Sequence, residues 1–185
     1  MSLQRDRAIV SEVLNRLSIR RGDFVLASGK RSNVYIDARV TTCHAPAMPS
    51  IGRLFLAKMS ERGWTPAAVG GMSLGADPIV IAVARESVDT GKPIDAFLVR
   101  KEAKGHGMRK QIEGLPEDTG AIDVVIVDDV CTTGDSTVKA ILAAREAGLN
   151  VLGAICLVDR EQGAQEAIAD GLGCGFDRVF KMSEL

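Results

Sequence analysis

A chain of 185 residues with 46% hydrophobic content is long enough for one domain with a sizeable core. Its 23 Lys and Arg against 24 Asp and Glu give a formal net charge of -1, which argues against a general nucleic-acid binder, and aromatics at 4% supply no base-stacking platforms. There is no signal-peptide pattern and no membrane-length apolar run, and the four cysteines lack CxxC spacing, so the reading is a cytoplasmic protein with reduced thiols, no membrane partner and no zinc site.

Ile9, Val10, Val13, Leu14 and Leu17 recur at helical spacing and predict an amphipathic packing helix over Asp6 to Leu17. Phe24 to Arg39, FVLASGKRSNVYIDAR, has two apolar stretches around an SGKRSN turn and reads as a hairpin. Taken alone, Lys30 and Arg31 are ordinary solvated turn charges and Tyr35 an ordinary core residue. Met48 to Arg62 is a second amphipathic helix ended by Gly63, and Ala67 to Gly71 a short strand. The small residues Met72 to Asp77, MSLGAD, precede a Pro-started helix, Pro78 to Ser87, a combination that suits an anion.

After a strand at Ile94 to Val99 the composition changes. Arg100 to Lys110, RKEAKGHGMRK, sets five cations against Glu102, with Gly105 and Gly107 as hinges and no apolar period, which predicts a mobile basic lid.

The chemistry is densest at Val124 to Thr137, VVIVDDVCTTGDST. Val124 to Val127 predict a strand buried on both faces, with Asp128 and Asp129 at its C-terminal end. A Thr/Gly turn follows, and a helix pattern runs from Val138 to Ala147. Backbone N–H groups at a helix start converge on one phosphate, while the acidic pair is free for sugar hydroxyls or a hydrated cation, so a phosphorylated sugar is the implied ligand. No GxxxxGK[ST] occurs and no GxGxxG follows a strand, which removes the main support for kinase and Rossmann readings. Asn150 to Val158 is the next strand, ending in Asp159 and Arg160, and a helix and a final strand, Phe176 to Lys181, complete an α/β alternation around a mainly parallel sheet.

The DD…TTG block resembles the phosphoribosyl pyrophosphate (PRPP) signature of the type I phosphoribosyltransferases. Three further motifs resemble the orotate phosphoribosyltransferases specifically: the SGxxS segment with Ser28, Gly29 and Ser32, the RKxxKxHG run from Arg100, and the DRxxG-like stretch Asp159 to Gly163. Arg31 stands where that family usually has Lys, and Asn33 where Pro is common. The resemblance implies a type I phosphoribosyltransferase fold, helices flanking the sheet and a small N-terminal hood largely from residues 1–45. It implies transfer of phosphoribose from PRPP to orotate in de novo pyrimidine biosynthesis, forming orotidine 5′-monophosphate (OMP) and pyrophosphate.

Carried onto this sequence, the family's pattern makes Lys104, His106, Asp128 and Asp129 catalytic. Asp128 and Asp129 would hold the ribose hydroxyls and, through water, a Mg²⁺ that PRPP carries, with no direct protein ligand. Thr132, Thr133, Gly134, Asp135 and Ser136 would take the 5′-phosphate, Val130 and Cys131 would belong to the same substrate-binding stretch, and Thr132 would also touch orotate. Arg31 would touch a phosphate, Arg100 and Lys101 would assist Lys104 at the leaving pyrophosphate, and Arg160 would take the orotate carboxylate. A homodimer with shared sites, its loop at about 100–113 serving the neighbour, is also implied. Two competing readings are a PRPP-binding regulator, which needs neither Lys104 nor His106, and a transferase for another base, which needs no Arg160.

Overall fold

A computed structural model describes residues 2–25, 31–102 and 111–185. Helix α1 (Leu3–Val13) begins three residues before the predicted start, because Ser2 accepts a hydrogen bond from the Arg5 N–H, and it continues as a π-helical turn, Leu14–Ser18. Strands β1 (Ile19–Val25) and β2 (Arg31–Ile36) form the expected hairpin as a separate antiparallel two-stranded sheet. β1 starts well before Phe24: its Arg20, Arg21, Gly22 and Asp23 are all exposed, so no apolar alternation announces it.

Then come α2 (Arg39–Thr42), α3 (Met48–Glu61), β3 (Ala68–Met72), α4 (Asp77–Val88), β4 (Asp95–Val99) and β5 (Ile112–Glu113). The last part holds β6 (Asp123–Cys131), α5 (Asp135–Glu146), β7 (Asn150–Asp159) and β8 (Gly175–Lys181). The six-stranded sheet has the order β5-β4-β3-β6-β7-β8, parallel throughout except where β5 runs antiparallel to β4. β5 is only two residues long and was not foreseen.

Both faces of the sheet are covered. Val125, Val127, Ile155 and Leu157 pack against α1, α3 and α4, while Val124, Ile126, Ala154 and Cys156 pack against α5. Alternate residues thus point to opposite cores, which is why β6 reads as an unbroken apolar run. Trp64 lies over two strand glycines: a Cβ on Gly153 would fall 2.2 Å from the indole and one on Gly175 2.6 Å. The first helix does more than pack. Asp6, fully buried, accepts from Ser50 Oγ at 2.8 Å and from two nitrogens of Arg53, which also pairs with Glu86 at 2.8 Å, so one network ties α1 to α3 and α4. Arg53 holds the Asp6 carboxyl below its ordinary range, and burial opposes this.

Strand order places the site. From β3 the chain moves outward to β4 and β5, then returns to the other side of β3 for β6, β7 and β8. The reversal opens a crevice beyond the C-terminal ends of β3 and β6, the position where open α/β sheets take ligands.

Candidate active site at the strand order reversal

β6 runs through Cys131, so Asp128 and Asp129 sit within its last residues, paired to β7, rather than beyond the strand. The carboxylates of Asp128 and Asp129 line a cavity of about 270 Å³ with Tyr35, Arg39, Gly75 and Lys101. Asp128, Val130 and the residues from Cys131 to Ser136 line a second hollow of about 210 Å³. Asp128, Val130 and Ser136 belong to both, so the two are halves of one groove.

The second half is an anion cradle. Gly134 takes a left-handed conformation, φ 85°, at the N-cap of α5, and no side chain caps the helix there. The first N–H groups of α5 and the positive end of its dipole are therefore available to a phosphate. The helix starts at Asp135, not Val138, so Asp135, Ser136 and Thr137 form its first turn; short polar residues mask a helix start because they favour loops and caps equally. A Cβ on Gly134 would also meet the Ala164 Cα at 3.2 Å.

Asp128 is 5% exposed, and both its oxygens accept: Oδ1 from the Asp129 N–H at 2.9 Å and Oδ2 from the Thr137 hydroxyl at 2.8 Å. Burial, and then the charge of Asp129, push its pKa up to about 7, with the Thr137 hydrogen bond opposing. Asp129 is also raised by burial, opposed by the Val130 N–H it accepts at 2.8 Å and by the Arg39 charge. Close approach shapes this end of the groove: a Cβ on Gly75 would stand 2.7 Å from Asp129 Oδ1, so the loop after β3 can face the carboxylate only without a side chain there.

Among the predicted residues, Lys101, Asp128, Asp129, Val130, Thr132, Thr133, Gly134, Asp135 and Ser136 line the groove. Cys131 lines it too, but is 1% exposed, with Sγ turned to Thr137 Oγ1 at 3.1 Å, so its thiol is a packing group rather than a ligand contact. Arg100 is held at the sheet edge, ion-paired to Glu113 at 3.2 Å, and does not line the groove. Its N–H donates to the Gln111 carbonyl at 2.8 Å, so the segment between these residues leaves and returns at one point. Arg31 is exposed at the start of β2 and is likewise not a lining residue. Arg160 clamps the hairpin to the sheet, donating at 3.4 Å to Ser32 Oγ and to the Val34 carbonyl, while its buried Nε has no partner among the described residues. Lys104 and His106 lie outside the described residues.

Two contributors escaped the sequence reading. Arg39 stands on the groove rim in a bidentate pair with Asp37, 2.9 and 3.0 Å, which holds the Asp37 carboxyl below its ordinary range. Thr137 looked like one more loop hydroxyl, yet it is buried against Asp128. Only a pairing between α5 and β6 reveals its role, and no spacing rule reports that pairing.

No protein-family model matches the chain. It is 45% identical over 163 residues to the orotate phosphoribosyltransferase of Corynebacterium glutamicum (strain R), covering 88% of this chain and 85% of that protein. It is 44% identical over 168 residues to the orotate phosphoribosyltransferase of Mycobacterium tuberculosis (strain ATCC 25618 / H37Rv), covering 90% of each. The crystal structure of the Mycobacterium tuberculosis H37Rv enzyme in complex with PRPP shares its fold with a TM-score of 0.80 at 36% identity, over 97% of this chain and 98% of that one. Relatives of this similarity, aligned along nearly the whole length of both partners, leave one assignment: the chain belongs to the orotate phosphoribosyltransferase family.

Proposed function

We propose that the groove binds PRPP and orotate and that the chain transfers the phosphoribosyl group between them, yielding OMP and pyrophosphate in pyrimidine biosynthesis. The observation that carries the reading is the carboxylate pair, Asp128 buried and Asp129 half-buried, beside the uncapped start of α5, which suits a sugar phosphate better than a free polyphosphate. Attack of orotate N1 on the anomeric carbon passes through an oxocarbenium-like state, so the protein must support positive charge on the ribose and negative charge on the leaving diphosphate. Asp128 and Asp129 orient the ribose hydroxyls and favour the ring cation. Residues 132–136 hold the 5′-phosphate, and Lys101, with Lys104 and His106, faces the diphosphate.

Mg²⁺ fits this donor set only as a passenger of PRPP. Among the described residues no three His, Cys, Asp or Glu side chains cluster as a metal site, and three of the four oxygens of the acidic pair already accept hydrogen bonds. Asp128 and Asp129 would meet such an ion through water, and it supplies charge neutralisation of the diphosphate.

The Nε of Arg160, without a partner among the described residues, suits a planar carboxylate, which a guanidinium holds better than an ammonium does. Arg160→Ala is expected to weaken orotate by about 1.5–3 kcal/mol, the range for hydrogen bonds to charged groups, with PRPP affinity nearly unchanged. PRPP consumption measured base by base tests this together with the activity. An unchanged orotate KM would remove Arg160 from the site, and binding of PRPP without turnover of any base would favour a regulator.

We read residues 1–45 as a hood and about 100–113 as a loop of the same unit, in a cytoplasmic homodimer whose loop completes the neighbour's site. From its pinned base at Arg100 and Gln111, a chain of that length reaches at most roughly 18 Å, enough for a boundary that lies close to the groove. Mixing Lys104→Ala protein with Asp128→Asn/Asp129→Asn protein should then restore activity, since one hybrid site has both intact parts. A monomer in sedimentation, or no recovery in a verified heterodimer, would show that the loop serves its own chain.

A further inference from the structure

We propose that Thr137 is a positioning residue for the transfer, its hydroxyl locking the Asp128 carboxylate in the orientation it presents to the ribose. The inference rests on the reading of Asp128 as a ribose contact. Thr137 is 1% exposed in the first turn of α5, and its Oγ1 donates to Asp128 Oδ2 at 2.8 Å. A hydroxyl has one proton, so with that proton given to Asp128 the contact to Cys131 Sγ at 3.1 Å must be accepted from the thiol. Cys131, Thr137 and Asp128 therefore form a one-way chain joining both ends of the turn between β6 and α5. The Asp129 N–H fixes the other oxygen of Asp128, so the carboxylate has no freedom left. β-Branching holds χ1 of Thr137 in few rotamers, and its hydroxyl points into the core rather than back to the helix backbone.

Thr137 touches no part of the groove; it is absent from the lining of both hollows. Its effect must pass through Asp128. A carboxylate already fixed need not be ordered when the ribose arrives, which is the advantage of pre-organisation.

Calorimetry on Thr137→Val and Thr137→Ser proteins tests this. Val keeps the shape and deletes the hydroxyl, and should weaken Mg²⁺-dependent PRPP binding about 10- to 100-fold. Ser keeps the hydroxyl and should stay within about threefold of the unmodified protein, an expectation from the same range. Inorganic phosphate, which needs the cradle but not Asp128, should bind the Val variant as it binds the unmodified protein. Unchanged PRPP binding in the Val variant would overturn the proposal, as would an equal loss with Ser, which assigns the role to packing. Equal losses for phosphate and PRPP would do so too, since the cradle itself is then deformed. Because no acceptor base is present, the result decides the role of Thr137 even if turnover with orotate fails.

Discussion

Asp128→Asn combined with Asp129→Asn is expected to abolish Mg²⁺-dependent PRPP binding and with it turnover, while inorganic phosphate still binds. On the proposed reading each carboxylate forms charge-assisted hydrogen bonds to ribose hydroxyls or to cation-bound water, and losing both removes about 3–6 kcal/mol, roughly a hundred- to ten-thousandfold in affinity. Fold is expected to survive. Asparagine fills the same volume, and its carbonyl oxygens can still accept the N–H groups of Asp129 and Val130 that the carboxylates accept. On this reading the pair would also discriminate by repulsion, because a nucleoside triphosphate brings anionic oxygens towards two closely placed carboxylates with no ribose hydroxyls in the right place to intervene. Calorimetry with and without Mg²⁺ checks both halves of the argument. Equal affinity for ATP in the unmodified protein, or PRPP binding retained in the double variant, would show that the acidic pair is structural.

The sheet was legible because its strands are buried on both faces, and an apolar run of four β-branched residues such as Val124 to Val127 admits few other readings. The phosphate cradle was legible because it is local: strand, acidic pair, turn and helix are contiguous in sequence. What the residue order could not report was contact between distant segments. Arg160 touches Ser32 and Val34 across more than a hundred residues, and Arg53 bridges Asp6 and Glu86. The exposed arm of β1 failed for a different reason: the two-stranded sheet meets the core through Ile19, Val34 and Ile36, and leaves Arg20 to Asp23 in solvent with no alternation imposed on them. Arg100 shows what a charge run leaves out. Its membership of the basic segment said phosphate, whereas the pairing of β4 with β5 put Glu113 beside it.

Asp128→Asn alone should stabilise the ligand-free protein above pH 7, even though it removes a residue the proposed transfer uses. The sign follows from proton uptake. The folded-state pKa of Asp128 is raised to about 7 from an ordinary value of 3.8, so between those pH values the folded protein holds a proton that the unfolded chain has released. Stability from this group is fully present below the unfolded pKa and is lost as pH rises through about 7, where the buried charge must form. Across that shift the cost is at most about 4 kcal/mol, at 1.36 kcal/mol per pKa unit. The groups facing Asp128 leave the charge poorly compensated: Asp129 repels it, Thr137 gives one hydrogen bond, and the cations on the groove, Arg39 and Lys101, stand on the rim, Arg39 already bound to Asp37. Asparagine at 128 never ionises, and its amide can be accommodated if the Thr137 hydroxyl turns to accept and donates instead to Cys131. Urea melts of the two proteins should therefore diverge at pH 8 in favour of Asp128→Asn, with the gap shrinking as pH falls and closing only towards the unfolded value of 3.8. Taking the difference between variants cancels Asp6 and Asp37, whose lowered pKa values act in the opposite direction at acid pH. A stability difference that does not change with pH would mean that Asp128 carries no burial cost, whereas a gap that grows towards pH 8 would mean that the groove holds a charge at the expense of the fold until the ribose hydroxyls arrive to meet it.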